Sequence, residues 1–359
     1  MNYRTAKILA EDTWEDAGTK TIPINIKDII SRITIGVREN TGQQQMAAQL
    51  MANITKIELI DGSDVLHSLN GLENQAVCIY DRRVNTMNHA GYIGDSSMYG
   101  TLGIDFGRYL HDPMLAFDPK QFRNPQLKIT YDVNLARTEA TSLLVEIWAD
   151  VFDEKVVSPV GFLVSKEYHS RTPPASGYWY VDLPTDLLMR KLFIRGFLLK
   201  SEPWYQVSEA KLDEDNDKRI PFDWDLEDYV RTMKGVWLPI IEQMTGYCHV
   251  NDEYSKYATP TEYHISVVAT PQDDGVDMSL RTIPKGGWID LRGTSGNPYW
   301  AIVTGFVPNH TIEFPFGDPK DLDDWYDVTK VGSLRLRLLA GTGGGSGDVA
   351  VITQQLRRY

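Results

Sequence analysis

Cysteine is almost absent: the 359 residues contain two, Cys78 and Cys248. Two thiols so far apart make no disulfide framework and suit a reducing interior. Positive charge is also short, with 36 Lys and Arg against 49 Asp and Glu, a net charge of −13. Broad contact with a phosphate backbone depends on clustered Lys and Arg, so direct nucleic-acid binding is not expected. Long apolar runs are missing too. The longest uncharged stretch, residues 293–312, carries Gly, Ser, Asn, Pro and His throughout, whereas a membrane-spanning helix needs about 20 mainly apolar residues. The first dozen residues include Arg4, Lys7 and Glu11 and lack the apolar centre of a secretory signal.

Catalytic signatures are equally thin. His67, His89, His111, His169, His249, His264 and His310 are scattered, and no His-x-x-His or His-Glu-x-x-His spacing exists to hold zinc locally. There is no Gly-x-Ser-x-Gly nucleophile elbow. Cys248-His249 with Asp252-Glu253 offers ligand types, but sequence neighbours rarely all point inward, and a surface loop is the plainer reading. In the acidic run 211–218, Asp213, Asp215 and Asp217 mimic the opening of a calcium loop. Lys218 stands where such a loop needs glycine and Trp224 where it needs the bidentate Glu, which excludes an EF-hand. Gly341-Thr-Gly-Gly-Gly-Ser-Gly347 lacks the Gly-Lys-Ser/Thr ending of a phosphate loop and reads as a flexible connection. Asp105, Glu146 and Asp150 read as solvated charges on strand faces, although paired glycosidase acids do come from separate strands. The sequons at Asn53 and Asn309 mean little without a secretory signal. No catalytic, cofactor-binding or metal-binding residue is assigned, and no cofactor is expected.

What is present is 42% hydrophobic and 24% charged, a composition of soluble globular domains, at a length that suits one large domain or two of about 150–200 residues. Period-2 alternation recurs: Ile22, Ile24 and Ile26, then Ile33, Ile35 and Val37, the mark of half-buried strands. Similar runs occupy residues 54–60, 102–106, 126–133, 143–152, 161–165, 178–183, 192–199, 263–269, 300–306, 334–339 and 349–356, punctuated by Gly, Pro, Asn and Asp as turns require. Helical spacing appears only over 66–80, through Leu66, Leu69, Leu72, Ala76 and Ile79, and over 225–234 behind an Asp225 N-cap, with Gly235 and Pro239 opposing any continuation. The class is therefore all-β, a sandwich or barrel.

A faint internal repeat adds to this. Leu102-Gly-Ile-Asp-Phe106 precedes Asp118-Pro-Lys120, and Ile302-Val-Thr-Gly-Phe306 precedes Asp318-Pro-Lys320; two strand patterns follow each triplet. Two similar β-domains are expected: an N-terminal arm over 1–20, a first domain over 21–203 and a second over 204–359. Aromatics are plentiful, with 9 Trp, 18 Tyr and 11 Phe. Trp179, Trp204-Tyr205, Trp224, Trp237 and Tyr299-Trp300 suit core packing, a subunit interface or sugar-stacking platforms.

The run Thr55-Lys-Ile-Glu-Leu-Ile-Asp-Gly-Ser-Asp-Val-Leu66 followed by Gly71-Leu-Glu-Asn-Gln-Ala-Val-Cys-Ile-Tyr80 resembles the strands and short helix inserted in the double jelly-roll major capsid proteins of tailless icosahedral, phage-like viruses. Residues 102–131 resemble the late strands of a first roll, and 302–338 echo them in a second. The resemblance implies two tandem eight-stranded antiparallel jelly rolls and a homotrimer whose six rolls form a pseudo-hexagonal capsomer of an icosahedral shell. Its implied partners are copies of itself, neighbouring capsomers, penton or minor capsid proteins, and an internal viral membrane. It also implies assembly in the host cytoplasm, outer towers built from loops 173–177 and 293–297, and no enzymatic activity. The lack of a basic N-terminal arm departs from the pattern and argues against genome contact. Two other classes match the same sequence: a virion spike or receptor-binding protein, and a two-jelly-roll enzyme acting on glycans, with acids and aromatics in a cleft between the rolls.

Overall fold

The computed structural model describes residues 1–39, 48–84, 87–92, 98–136, 141–247, 256–262, 264–271, 278–293 and 298–359. Its first part runs β1 (Tyr3–Trp14), β2 (Ala17–Pro23), β3 (Ile30–Glu39), β4 (Ile54–Asp61), β5 (Asp64–Leu69), α1 (Gly71–Arg82), β6 (Asn88–Tyr92), β7 (Met98–Asp105), β8 (Pro125–Asp132) and β9 (Leu143–Phe152). There follow β10 (Gly161–Arg171), β11 (Tyr178–Asp182), β12 (Met189–Phe197), β13 (Val207–Glu214), β14 (Arg219–Asp225) and α2 (Leu226–Met233). Then come β15 (Ile240–Tyr247), β16 (Lys256–Tyr257), β17 (Ser266–Pro271), β18 (Met278–Lys285), β19 (Trp288–Gly293) and β20 (Pro298–Gly305), and last β21 (Thr311–Pro315), β22 (Leu334–Ala340) and β23 (Asp348–Arg358).

The strand order repeats. Strands run β1-β9-β3-β7 in one sheet and β10-β23-β12-β21 in another, while β2-β8-β4-β5 is matched by β11-β22-β13-β14. In chain order each strand of the first part has its counterpart in the second, and a helix follows both β5 and β14. Two of the isolated bridges also correspond: Ile30 pairs with Phe117, and Met189 with Tyr326. Between helix and seventh strand the first part inserts β6, and the second inserts β15 to β20. The two parts join where Lys166 of β10 lies parallel to Ser68 of β5 and where β15 lies parallel to β6.

Alternation explains most strands. Along β8 and β9 every second side chain is buried, so Leu127, Ile129 and Tyr131 face Ile147, Ala149 and Val151 across one core that includes Trp14, Ile33, Ile35 and Ile57. The second core gathers Trp179, Leu192, Phe193, Leu212, Leu336 and Ile352 and takes in Val77 and Tyr80 from α1. Strand β12 is buried on both faces along nearly its whole length, as a central strand covered on each side must be.

Several expectations change. Residues 1–20 are not a free arm: β1 pairs antiparallel with β9 from Tyr3 to Trp14, because Leu9 and Trp14 can bury one edge while charged neighbours stay wet. Leu66 and Leu69 belong to β5, not to a helix. The helix starts only at Gly71, where Asn70 and Glu73 form a reciprocal cap, Glu73 N donating to Asn70 Oδ1 at 2.9 Å and Asn70 N to Glu73 Oε2 at 3.2 Å. It ends at Arg83, whose φ of 52° is left-handed. The helix over 225–234 appears as expected, with Asp228 N donating to Asp225 Oδ1 at 3.0 Å. The division at 203–204 cuts through paired strands, since β10, β11 and β12 bond to β23, β22 and β21. Pairing partners change instead between β9 and β10. Finally, the two Asp-Pro-Lys triplets do form equivalent turns, Lys120 N to Asp118 Oδ1 at 3.0 Å and Lys320 N to Asp318 Oδ1 at 2.9 Å. The strand corresponding to β7, however, is β21 rather than β20.

Candidate functional site

Among the described residues, the carboxylates singled out in the sequence are spent on ion pairs and strand contacts. Asp105 is not a solvated charge: it lies between Arg32 and Arg82, the latter at 2.8 Å, with its side chain 9% exposed. Asp150 accepts from Thr5 Oγ1 at 2.9 Å, and Glu146 meets Lys7 Nζ at 3.4 Å. Arg32 of β3 stands opposite Asp105 on one side and Asp150 on the other, a cross-strand charge ladder of the kind that sets register. The acidic run 211–218 is the end of β13 and the hairpin turn that leads to β14, with Asp215, Asn216 and Asp217 at positive φ and Lys211 paired to Asp217 at 2.6 Å. Asn53 and Asn309 are buried and spent on the fold: Asn53 Oδ1 accepts from Ala136 N at 2.7 Å, and Asn309 Nδ2 donates to Leu72 O at 3.0 Å.

The described histidines join no cluster of metal-ligating side chains. Burial holds His67 and His310 down at about 3, so both are neutral, and His67 Nε2 is bonded to Asn74 Nδ2 at 2.8 Å. Cys78 is buried and pushed up to about 12 chiefly by that burial, an unreactive thiol. Cys248, His249, Asp252 and Glu253 lie outside the described residues, as does most of the loop 293–297. No group of three metal-ligating side chains occurs among the described residues, and none of their helices is long and apolar enough to cross a membrane.

What the fold does build is a buried polar seam between its two parts, a feature that strand-pattern reasoning missed. Strand β12 carries Arg190, Lys191 and Arg195 inside an otherwise apolar run, all buried. From α1, Asp81 receives Arg190 at 2.7 Å and Lys191 at 2.8 Å, and Gln354 of β23 donates to its other oxygen at 2.6 Å. Lys191 also meets Glu313 at 2.9 Å, and Glu313 in turn meets Arg83 at 3.2 Å. Tyr80 and Tyr229 donate to the carbonyls of Thr311 and Glu313, both at 2.8 Å. Burial would raise the Asp81 carboxyl, but the two cations outweigh it and hold it well below the usual carboxylate range. Nearby, burial lifts Glu73 to about 7 despite Arg195. The signal was legible in Met189-Arg-Lys-Leu-Phe-Ile-Arg195: charges at consecutive positions of a central strand must be paired. The seam's charges are spent on one another, a chemistry that holds two bodies together.

The outward features are strand edges and a few apolar side chains. Val84, Val236 and Leu238 are 47%, 63% and 61% exposed around the ends of α1 and α2. The glycine run 341–347 is tied down rather than loose: Gly343 N donates to Tyr205 O at 2.7 Å and Gly345 N to Pro173 O at 3.1 Å.

Two sheets facing across a core in each part, the same strand order twice and a helix after each fifth strand define the class: this is the double jelly-roll fold. Among solved structures the chain is similar to the STIV MCP, at 10% identity and a TM-score of 0.59 over 100% of this chain and 98% of that one. It is similar to PBCV-1 VP54 at 9% identity and 0.58, covering 99% of this chain and 94% of that one. It is also similar to the major capsid protein P2 of bacteriophage PM2, at 10% identity and 0.55, covering 99% and 98%. No protein-family model matches the chain, and no curated protein matches it by sequence. At these identities the likeness is one of fold.

Proposed function

We propose that the chain is the major capsid protein of an icosahedral virion, located in its shell, and that it works by assembly rather than by chemistry. The observation that carries this is the full-length match: both rolls, in the same order, over 98% of two capsid-protein chains. The unit is a homotrimer in which two eight-stranded rolls per chain, divided between β9 and β10, give a pseudo-hexagonal capsomer. Its partners are neighbouring capsomers and the penton and minor proteins that close such a shell. The buried seam supports this reading, because a capsomer edge must be a rigid two-roll body. The exposed Val84, Val236 and Leu238 support it as side-face contacts, which closed threefold association would cover.

Light scattering on the purified chain tests the proposal. The expected mass is about three times 40.7 kDa, with hexagonal particles in negative stain. A monodisperse monomer at micromolar concentration overturns it.

A further inference from the structure

The geometry points to a binding site for neutral pyranose sugars at one end of the second roll. An open cavity of about 560 Å3 is lined by Trp204, Tyr205, Ser208, Asp225, Glu227, Gly341 and Thr342. That volume falls in the range of small-molecule sites, and three separate segments contribute to it: the turn before β13, the start of α2 and the loop after β22.

The lining has the chemistry a sugar needs. A pyranose presents an apolar C–H face, which packs on an aromatic ring, and a rim of hydroxyls, which need both donors and acceptors. Trp204 and Tyr205 are each half-buried, so part of each ring is fixed and part is open. Ser208 and Thr342 bring hydroxyls, and Asp225 and Glu227 bring carboxylates, the stronger acceptors. Asp225 Oδ1 is engaged by Asp228 N at 3.0 Å, and Glu227 Oε1 by Arg231 at 2.6 Å; each holds its carboxylate in place and leaves the second oxygen for a ligand. None of the seven lining residues is basic. Glu227 has its charge countered by Arg231, whereas Asp225 forms no ion pair among the described residues and no lining cation is there to receive the carboxylate of a sialic or uronic acid, so the site selects uncharged sugars.

The aromatic pair is positioned in advance. Pro203, Trp204 and Tyr205 form a single 3-10 turn, with Tyr205 N bonded to Glu202 O and Gln206 N to Pro203 O, both at 3.0 Å. The glycine loop packs directly on it: Gly343 N bonds Tyr205 O at 2.7 Å, and a Cβ at Gly341 would collide with the carbonyl oxygens of Trp204 and Tyr205. A platform already ordered loses little entropy on binding. This gives the glycine run, which has no phosphate-loop ending, a role of its own. The inference goes beyond the shell reading and stands without it, since a chain that failed to trimerise could still bind the sugar.

Saturation-transfer NMR on the full chain tests it, with maltotriose and cellobiose as neutral probes and 3′-sialyllactose as the anionic one. Transfer to the ring protons of at least one neutral probe is expected at millimolar concentration, with none to sialyllactose. Thr342→Arg fills the cavity from an exposed position that the fold does not need, and Asp225→Asn removes charge while keeping the helix cap. Thr342→Arg should weaken binding by about tenfold or more, and Trp204→Ala should abolish it. Absence of transfer to both neutral sugars overturns the inference. So does transfer that survives Thr342→Arg unchanged, or equal transfer to sialyllactose.

Discussion

Glu242 shows how a single buried carboxyl can set the pH response of this molecule. It sits on β15 with Thr259 N donating to Oε2 at 2.6 Å, and burial lifts its carboxyl to about 7, more than the bonds from Thr259 and Asn88 pull it down. A folded-state value raised above the ordinary 4.5 means that the neutral form is the one the fold accommodates. Its contribution to stability is complete below about 4.5 and is lost as pH rises through about 7. Between pH 6 and pH 8 this one group costs about 1 kcal/mol, and Glu73, also raised to about 7 by burial, adds a loss of the same sign. Over the same range His67 and His310, held neutral in the fold at about 3, contribute a gain of the opposite sign as their unfolded-state imidazoles lose protons, so the readout is the difference between parent and variant at fixed protein concentration. Glu242→Gln, which keeps the acceptor and discards the proton, should shift the change in melting temperature from pH 6 to pH 8 upward relative to the parent. A variant whose change equals that of the parent would show Glu242 to be charged in the folded state.

At the scale of elements, the strand at the N-terminus separates two readings of the same residues. As an arm, residues 1–14 could be removed without harm to the fold. As β1 they supply the whole hydrogen-bonding row opposite β9, and their loss would leave a long apolar strand with an open edge, the usual template for aggregation. Deletion of residues 1–14 should send the protein to the insoluble fraction or into large aggregates on gel filtration. A soluble, native-sized product would restore the arm. The strand escaped sequence reading because an edge strand half-wet on both faces has no strict period: in Tyr3-Arg-Thr-Ala-Lys-Ile-Leu-Ala-Glu-Asp-Thr-Trp14 the register itself shifts between Lys7 and Asp12. By contrast, residues 126–133 and 143–152 were legible because each buries one face of a central strand. The sugar-site aromatics Trp204 and Tyr205 were legible as residues. Their convergence with Asp225 and Thr342 was not, since it depends on how three loops close over the end of a roll. The repeat was legible in its Asp-Pro-Lys turns and misaligned in its strands, because β15 to β20 are inserted where local sequence similarity put the counterpart of β7.

For the whole molecule, the question is whether the two rolls are beads on a string or one body. The connection between β9 and β10 argues for neither by itself: Val156 within it is 93% exposed, the mark of a severable loop. What lies on either side of it decides. Met244, Tyr257, Tyr299 and Val303, all from beyond residue 240, are buried in the core built by the first strands, and Val77 and Tyr80 of α1 are buried in the second. Pulling the parts apart would strip both cores, leave Asp81 without Arg190 and Lys191 and take Arg83 from Glu313, where loss of one partner of a buried pair alone costs about 3–5 kcal/mol. A protease site inserted beside Val156 should thus be cut without consequence, the two fragments eluting together at native size and separating only in denaturant. Adding Asp81→Ala to the nicked protein leaves Arg190 without its carboxylate and Lys191 with Glu313 alone, and should lower the urea concentration at which the fragments part far more than it lowers that of the uncut chain, whose covalent link holds the halves at high effective concentration. Fragments that separate spontaneously after cutting would make the seam a contact of convenience, and the rigid two-roll edge that a capsomer requires would then have to come from neighbouring subunits.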